Sequence, residues 1–383
     1  MEKEIKKKFE EIFGKEGVFS AKAPGRVNLI GEHVDYQGGK VLPIAIDRYI
    51  WAFGKKDKSG KIKIYSYNYS DYLEISIKEI TYQKEKQWAN YVLGVIKEFI
   101  DKGFKIEGIE IVFGGNVPSG SGLSSSAAVE ISISSLIMKI FDIELSPIEV
   151  IKLSRKAENE FVGVNCGIMD QFSSYLSKEN HALLLDCKTL NYKYIPLNLG
   201  NYEILLVDTK KERKLSSSVY NKRVEEVKTS VEIIKKEMEI EYLSDINRKT
   251  LEKFREKLPP VSYSRALHIV EENERVEKSS EFLKKGEIEE FGKLLFSSHE
   301  SLRNLYEVSC EELDFIVDFS KEFDGVAGAR LTGAGFGGCA IVIIKKEMVE
   351  KFIQKLISIY QQKFLRKPEI YKVKSVNGPY HQG

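Results

Sequence analysis

Within GRVNLIGEHVDYQGG, residues 25–39, the chain places Arg26, Glu32, His33 and Asp35 inside ten positions. A guanidinium, two carboxylates and an imidazole can surround a small ligand with directional donors and acceptors. The same residues also suit a surface hairpin whose charges are simply solvated. The stretch by itself fits both readings.

A second chemistry lies in VPSGSGLSSSAAVEI, residues 117–131. Gly120 and Gly122 let the main chain bend closely around a ligand, and Ser124, Ser125 and Ser126 lead straight into an apolar helical pattern. The unpaired amides of a helix start, with the aligned dipole behind them, form an anion site. A serine-capped helix after a turn accounts for the same letters. The stretch is no Walker A loop, since the Gly-Lys-Ser/Thr ending is absent, and it lacks the third glycine of a dinucleotide fingerprint. In RLTGAGFGGCAIVII, residues 330–344, the glycines 333, 335, 337 and 338 precede an apolar strand. They fit a tight turn, or main chain that approaches a nucleotide or braces the first glycine loop. Between these segments, KAENEFVGVNCGIMDQFSS (156–174) carries Glu158 on a helical stretch and Asp170 after a glycine-rich turn. Two carboxylates near a phosphate cradle suit one magnesium ligand and one group facing a nucleophile, but a lone carboxylate on a helix more often faces solvent, and spacing alone does not choose between the two.

The bulk numbers narrow the classes. The 383 residues exceed the size at which one core usually stops growing, so two domains are expected. Hydrophobic content of 42% with 30% charged residues is globular rather than disordered. Lys plus Arg number 59 against 57 Asp plus Glu, a net charge of +2, which supplies no broad field for nucleic acid. Cys166, Cys187, Cys310 and Cys339 lack CxxC spacing and fit a reducing cytoplasm better than a disulfide framework or zinc site. MEKEIKKKFEEIF reads as a charged amphipathic helix, and no apolar run is long enough to cross a membrane. A cytoplasmic protein with no membrane partner, monomeric or weakly homo-oligomeric, is the expectation.

The elements that must position these groups alternate in both halves. VFSAKAPG, YIWAFGKK, KIKIYSYN and YLEISI read as strands, as do IEIVFGGNVP, YEILLVD, AGARLTG, GCAIVII and EIYKVKS. WANYVLGVIKEFIDKG, AAVEISISSLIMKIF, IEVIKLSRKAENEF and residues 347–364 carry helical spacing. The pattern predicts an α+β, mixed α/β architecture. A soft boundary at LNLGNY divides residues 1–199, holding the first two motifs, from 200–383, holding the third.

Taken in order, GRVNLIGEHVDYQGG, VPSGSGLSSSAAVE and LTGAGFGGC resemble the three signature motifs of galactokinases. Those enzymes belong to the superfamily of galactokinase, homoserine kinase, mevalonate kinase and phosphomevalonate kinase. WANYVLGV, CGIMDQF, VYNKRVEE, LHIVEENERV and SHESLRNLYEVSCEELD are also similar, so the likeness runs from about residue 18 to residue 345. It implies a two-domain small-molecule kinase fold with the active site between the domains. The implied reaction moves the γ-phosphoryl group of ATP to the anomeric hydroxyl of galactose.

The resemblance also implies roles. Glu32, His33, Val34 and Asp35 match the sugar-contacting stretch, with Val34 contributing mainly backbone, and Tyr220 matches a tyrosine lining the sugar pocket. Asp170 matches the catalytic aspartate and Arg26 the arginine beside the reacting hydroxyl. Gly120, Ser121, Gly122, Leu123, Ser124, Ser125 and Ser126 match the loop around the ATP phosphates, and Ser66 a nucleotide-contacting serine. Ser126 and Glu158 match the magnesium ligands. Three positions depart from the family: Val34 stands where Thr is common, Gln37 where Asn is usual, and Asn165 where Pro is frequent. A sister sugar 1-kinase for N-acetylgalactosamine, galacturonate or arabinose would share the phosphate chemistry. A non-catalytic galactose sensor fits less well, since SSSAA, Asp170 and Arg26 are all intact.

Overall fold

The computed structural model describes every residue except 119, 165, 212–215 and 382–383, so the departure at Asn165 lies outside the described residues. In chain order the strands are β1 (Phe19–Asn28), β2 (Lys40–Val41), β3 (Pro43–Lys56), β4 (Lys61–Ser66), β5 (Asp71–Ser76) and β6 (Ile109–Gly115). They continue as β7 (His181–Asp186), β8 (Tyr192–Pro196), β9 (Tyr202–Asp208), β10 (Val326–Leu331), β11 (Cys339–Lys345) and β12 (Glu369–Val373). One sheet has the order β1-β3-β6-β4-β5, a second β10-β11-β9-β12 and a small third β2-β7-β8. Pairing is antiparallel throughout, except that β4 runs parallel to β6.

Each face of the first sheet is covered by what its pleat dictates. Ile62 and Ile64 on β4, with Ile109 and Ile111 on β6, point to one side and join the main core with the helices Asn90–Asp101 and Ser125–Phe141. Phe53 and Val112 point to the other, where the amino-terminal helix Glu2–Phe13 seats Ile5 and Phe9. Helix Ser125–Phe141 is buried over most of its length, its apolar residues packing in the core together with the small side chains of Ser132, Ser134 and Ser135. The second sheet is packed by the helices Ile288–Asn304, Glu311–Lys321 and Val349–Phe364. The chain end crosses back to the first sheet, where Val376 N–H donates to the Ala45 carbonyl at 3.1 Å.

Three local irregularities aim side chains at the site. A register shift in β1 between Pro24 and Arg26 breaks the alternation just where Arg26 leaves the sheet. Helix Pro147–Lys156 starts with a capping box between Ser146 and Glu149, with Pro147 in its first turn. It then widens into a π-helical turn over Ala157–Val162, which re-aims Glu158 relative to a continuous α-helix. Asp170, placed after a glycine-rich turn from its sequence, lies in the first turn of the helix Met169–Leu176 that follows. The strands β7 and β8 were not anticipated from their sequences; their half-buried alternation is set by pairing with each other and with β2.

One contact lets helix Ile288–Asn304 lie directly on β10. A Cβ built on Gly292 would meet the Ala327 carbonyl oxygen at 2.0 Å, and one on Gly328 would meet the Gly292 oxygen at 2.4 Å. Gly292→Ala, which in an exposed helix gains about 1 kcal/mol, is therefore expected to destabilise by about 1–3 kcal/mol through overpacking. Urea unfolding reads the sign directly; a stabilised variant would show that helix and strand separate freely.

Candidate active site

The bulge in β1 delivers Arg26 to the centre of the site, 5% exposed. Its Nε and Nη2 both donate to Asp170 Oδ1, at 2.8 and 2.7 Å, while Nη1 donates to the Gly122 carbonyl at 2.7 Å. Ser124 Oγ donates to the other oxygen of Asp170. One guanidinium thus joins β1, the glycine-serine loop and the helix headed by Asp170. The Asp170 side chain keeps 25% of its surface exposed, so the carboxylate is clamped without being sealed.

The loop itself is bent by backbone of positive φ at Gly120 (72°), Gly122 (83°) and Ser124 (56°). Ser121 Oγ donates to the Pro118 carbonyl at 2.9 Å, which tightens the turn, and Leu123 anchors it in the core at 1% exposure. Ser125 and Ser126, on the first turn of the helix, stay partly exposed. A hydroxylated, solvent-reaching helix start with unpaired amides has the chemistry to receive phosphate oxygens. Gly333 of the third motif packs directly against the Gly122 main chain, so that motif braces the loop. Ser66 stands apart. It ends β4 at 1% exposure, and its hydroxyl makes no hydrogen bond to the loop or to anything else.

Glu158, in the π-helical turn, is nearly buried, and burial together with the Asp170 charge raises its pKa. The Ser126 and Gln171 side chains pull it back down by hydrogen bonding. Among the described residues no lysine or arginine pairs with it, so the carboxylate lacks a counter-charge. Gln171 and Glu130, whose carboxyl burial also drives upward, complete this acidic corner. Neither was singled out from sequence, although Glu130 is the one acidic residue of the helix Ser125–Phe141.

The polar stretch 32–35 divides its duties. Glu32 turns toward the third motif: Oε1 accepts from Gly333 N–H at 2.8 Å and Thr332 Oγ1 at 3.1 Å, with Arg330 Nη2 at 3.3 Å. Val34 is fully buried in the core, so only its backbone is left near the site. His33 adopts a left-handed backbone, φ 64°, rare for a residue with a Cβ. Its ring lies 4.7 Å from that of Tyr306 and 5.6 Å from that of Tyr220 on helix Ser216–Ile234. Burial and the neighbouring His268 push the imidazole down to about 3, so it is neutral at working pH, and its Nε2 has no hydrogen-bond partner. Asp35 is pushed up to about 6 by burial and by the charges of Asp170 and Glu32. Its carboxylate fills the space a Cβ on Gly167 would take, 1.8 Å from Oδ2. Asp35, His33, Tyr36, Tyr220 and Tyr306 thereby form a polar, aromatic wall facing Asp170.

Arg330 holds this wall from behind. Fully buried, it donates from Nη1 to the carbonyls of Asn28 and Leu29 at 3.1 and 2.9 Å, besides pairing with Glu32. Removing one partner of a buried charge group is costly because the rest stays dehydrated and unpaired. Arg330→Met is expected to lose about 3–5 kcal/mol of stability, measured by urea unfolding. A loss below about 1 kcal/mol would mean the stretch 32–35 holds its own shape.

Comparison with known proteins follows the same lines. Residues 7–56 match the family model described as the galactokinase galactose-binding signature, 90–178 the amino-terminal domain of GHMP kinases and 279–362 their carboxy-terminal domain. The galactokinase of Clostridium tetani is 45% identical over 98% of this chain and 97% of its own length. That of Thermosipho africanus is 47% identical over 93% and 98%. The crystal structure of Lactococcus lactis galactokinase complexed with galactose superposes with a TM-score of 0.95 at 34% identity, covering 98% of both chains. Methanococcus jannaschii mevalonate kinase shares the fold, with a TM-score of 0.70 at 24% identity over 95% and 100%. Nearly full-length identity and a matching two-domain, mixed α/β fold place this chain in the galactokinase family of the GHMP kinases, the ATP-dependent sugar kinases among them.

Proposed function

We propose that the protein transfers the γ-phosphoryl group of ATP to the anomeric hydroxyl of α-D-galactose, giving galactose 1-phosphate and ADP. The observation that carries this reading is the clamp on Asp170. Arg26 and Ser124 hold the carboxylate between the helix-start loop and the wall of Asp35, His33 and Tyr220. A sugar on that wall and a triphosphate in that loop meet at Asp170.

Phosphoryl transfer asks for alignment and charge neutralisation more than covalent help. The loop amides and the hydroxyls of Ser124, Ser125 and Ser126 bind the phosphates. Asp170 accepts the proton of the anomeric hydroxyl on its exposed side, and Arg26 stabilises charge on the transferring group. Asp35, His33 and Tyr220 read the sugar, the His33 ring being neutral with no hydrogen-bond partner at Nε2, while Glu32, also expected there, holds the stretch against the third motif. The residues also fit a magnesium ion. Ser126 and Glu158 supply two oxygen donors, the Glu158 carboxylate pairs with no lysine or arginine among the described residues, and magnesium takes few protein ligands beside substrate phosphates. When bound there it neutralises phosphate charge. A cytoplasmic location and a monomeric or weakly associated state belong to the same proposal.

ADP release assayed with galactose, glucose, N-acetylgalactosamine, galacturonate and arabinose tests the reading; galactose should give the highest kcat/KM, and a better sugar would overturn it. Asp170→Asn keeps the shape but cannot take the proton, so kcat should fall about 10²–10⁴-fold. Calorimetric galactose binding should change much less. A variant within a few-fold of the original kcat would remove Asp170 from the proton transfer.

The raised pKa of Asp35 gives a pH signature. Below about 6 the group is protonated and loses its anionic acceptor, so kcat/KM for galactose should decline as pH falls through that value. Asp35→Asn should lower the plateau and abolish that inflection. The linkage sign for folding is opposite: between about 4 and 6 the folded form holds a proton the unfolded chain has lost, so this group's contribution to stability shrinks as pH rises. A profile unchanged in Asp35→Asn would assign the inflection to another group.

A further inference from the structure

We propose that Glu130 is a positioning residue for the metal site: through the Gln171 side chain it fixes the orientation of the Glu158 carboxylate. This rests on the reading above, in which Glu158 holds magnesium. Glu130 lies four residues after Ser126 on helix Ser125–Phe141, on the same face and one turn deeper. It is fully buried, as is Gln171, one residue after Asp170. The Gln171 amide nitrogen donates to Glu130 Oε2 at 2.9 Å and to Glu158 Oε2 at 2.6 Å. A primary amide has two N–H groups; giving one to each carboxylate fixes the amide plane and, with it, the Glu158 head group.

Cys166 Sγ donates to the same Glu158 oxygen at 3.3 Å. Oε2 is therefore held inside the protein, and Oε1 is the oxygen left to face a ligand. Packing does not explain Glu130. Its Oε1 and the Gln171 Oε1 are buried without hydrogen-bond partners, a cost an apolar side chain at position 130 would avoid. The three elements joined here carry the loop serines, Glu158 and Asp170, so a carboxylate at position 130 sets their mutual register. Groups behind a ligand commonly tune metal affinity in this way.

The experiment measures Mn2+ binding to the enzyme–ADP complex by electron paramagnetic resonance, with calorimetric galactose affinity and Tm on the same samples. Glu130→Leu, which fills the volume but accepts no hydrogen bond, should weaken Mn2+ binding about 10–100-fold. Galactose affinity should stay within a few-fold. Glu130→Gln, which keeps an acceptor oxygen, should recover most of the loss. Gln171→Leu breaks the relay from the other side and should match Glu130→Leu; the double variant should lose no more than the worse single one. Should Glu130→Leu not fold, Gln171→Leu and Glu130→Gln decide. Wild-type Mn2+ affinity in a folded Glu130→Leu or Gln171→Leu protein overturns the proposal. Unchanged affinity in Glu158→Ala would instead overturn the metal reading itself, and the proposal with it.

Discussion

The site depends on where the Arg26 guanidinium spends its donors. Two go to one oxygen of Asp170 and one to the Gly122 carbonyl, so a single planar group ties the Asp170 carboxylate to the glycine-serine loop. Ser124 Oγ adds a direct link from the loop to the other Asp170 oxygen. The loop has few side chains to anchor it, and Asp170 opens a helix of its own. A lysine would bring one point charge where the geometry uses a fork. The bulge in β1 and the αL residue Ser124 are the local distortions that bring the fork and the loop into register.

A second set of buried charges does for the stretch from Gly31 to Asp35 what Arg26 does for the loop. Glu32 is drawn toward Arg330, Thr332 and Gly333, while Glu272 accepts from Gly31 N–H and pairs with Arg275. Arg275 and His268 hold Glu272 down to about 2 against its burial. These contacts join residues some 240 to 300 positions apart. They keep the stretch from Gly31 to Asp35 rigid even though His33 sits in a strained left-handed backbone. The strain is tolerated because the surroundings over-determine the conformation.

The acidic corner is built in the opposite way. Glu130, Glu158 and Asp170 lie close together; among the described residues Arg26 pairs with Asp170 but no lysine or arginine pairs with Glu130 or Glu158, and burial disfavours charge on both glutamates. Buried carboxyl groups without a cationic partner cost stability. Structural parts of the protein satisfy their charges; the functional part leaves some unsatisfied.

How much of this was legible in the sequence follows from what local patterns encode. The apolar runs in β9, β11 and helix Ser125–Phe141, the glycine-serine loop and the Glu-His-Val-Asp stretch all announce themselves within a dozen residues. Periodicity tells which face is buried, glycine tells where backbone bends, and motif order identifies the family. None of these reports a partner. That Arg26 meets Asp170 across 144 positions, or that Gln171 bridges Glu130 and Glu158, is settled only when sheets and helices pack. The π-helical turn at Glu158 and the strands β7 and β8 belong to the same class: their conformation answers to neighbours more than to their own residues. The sequence by itself determined the chemical groups and the family. The tertiary structure decided which oxygen each donor holds, because hydrogen bonds at fixed distance exist only between groups that the fold has already brought together.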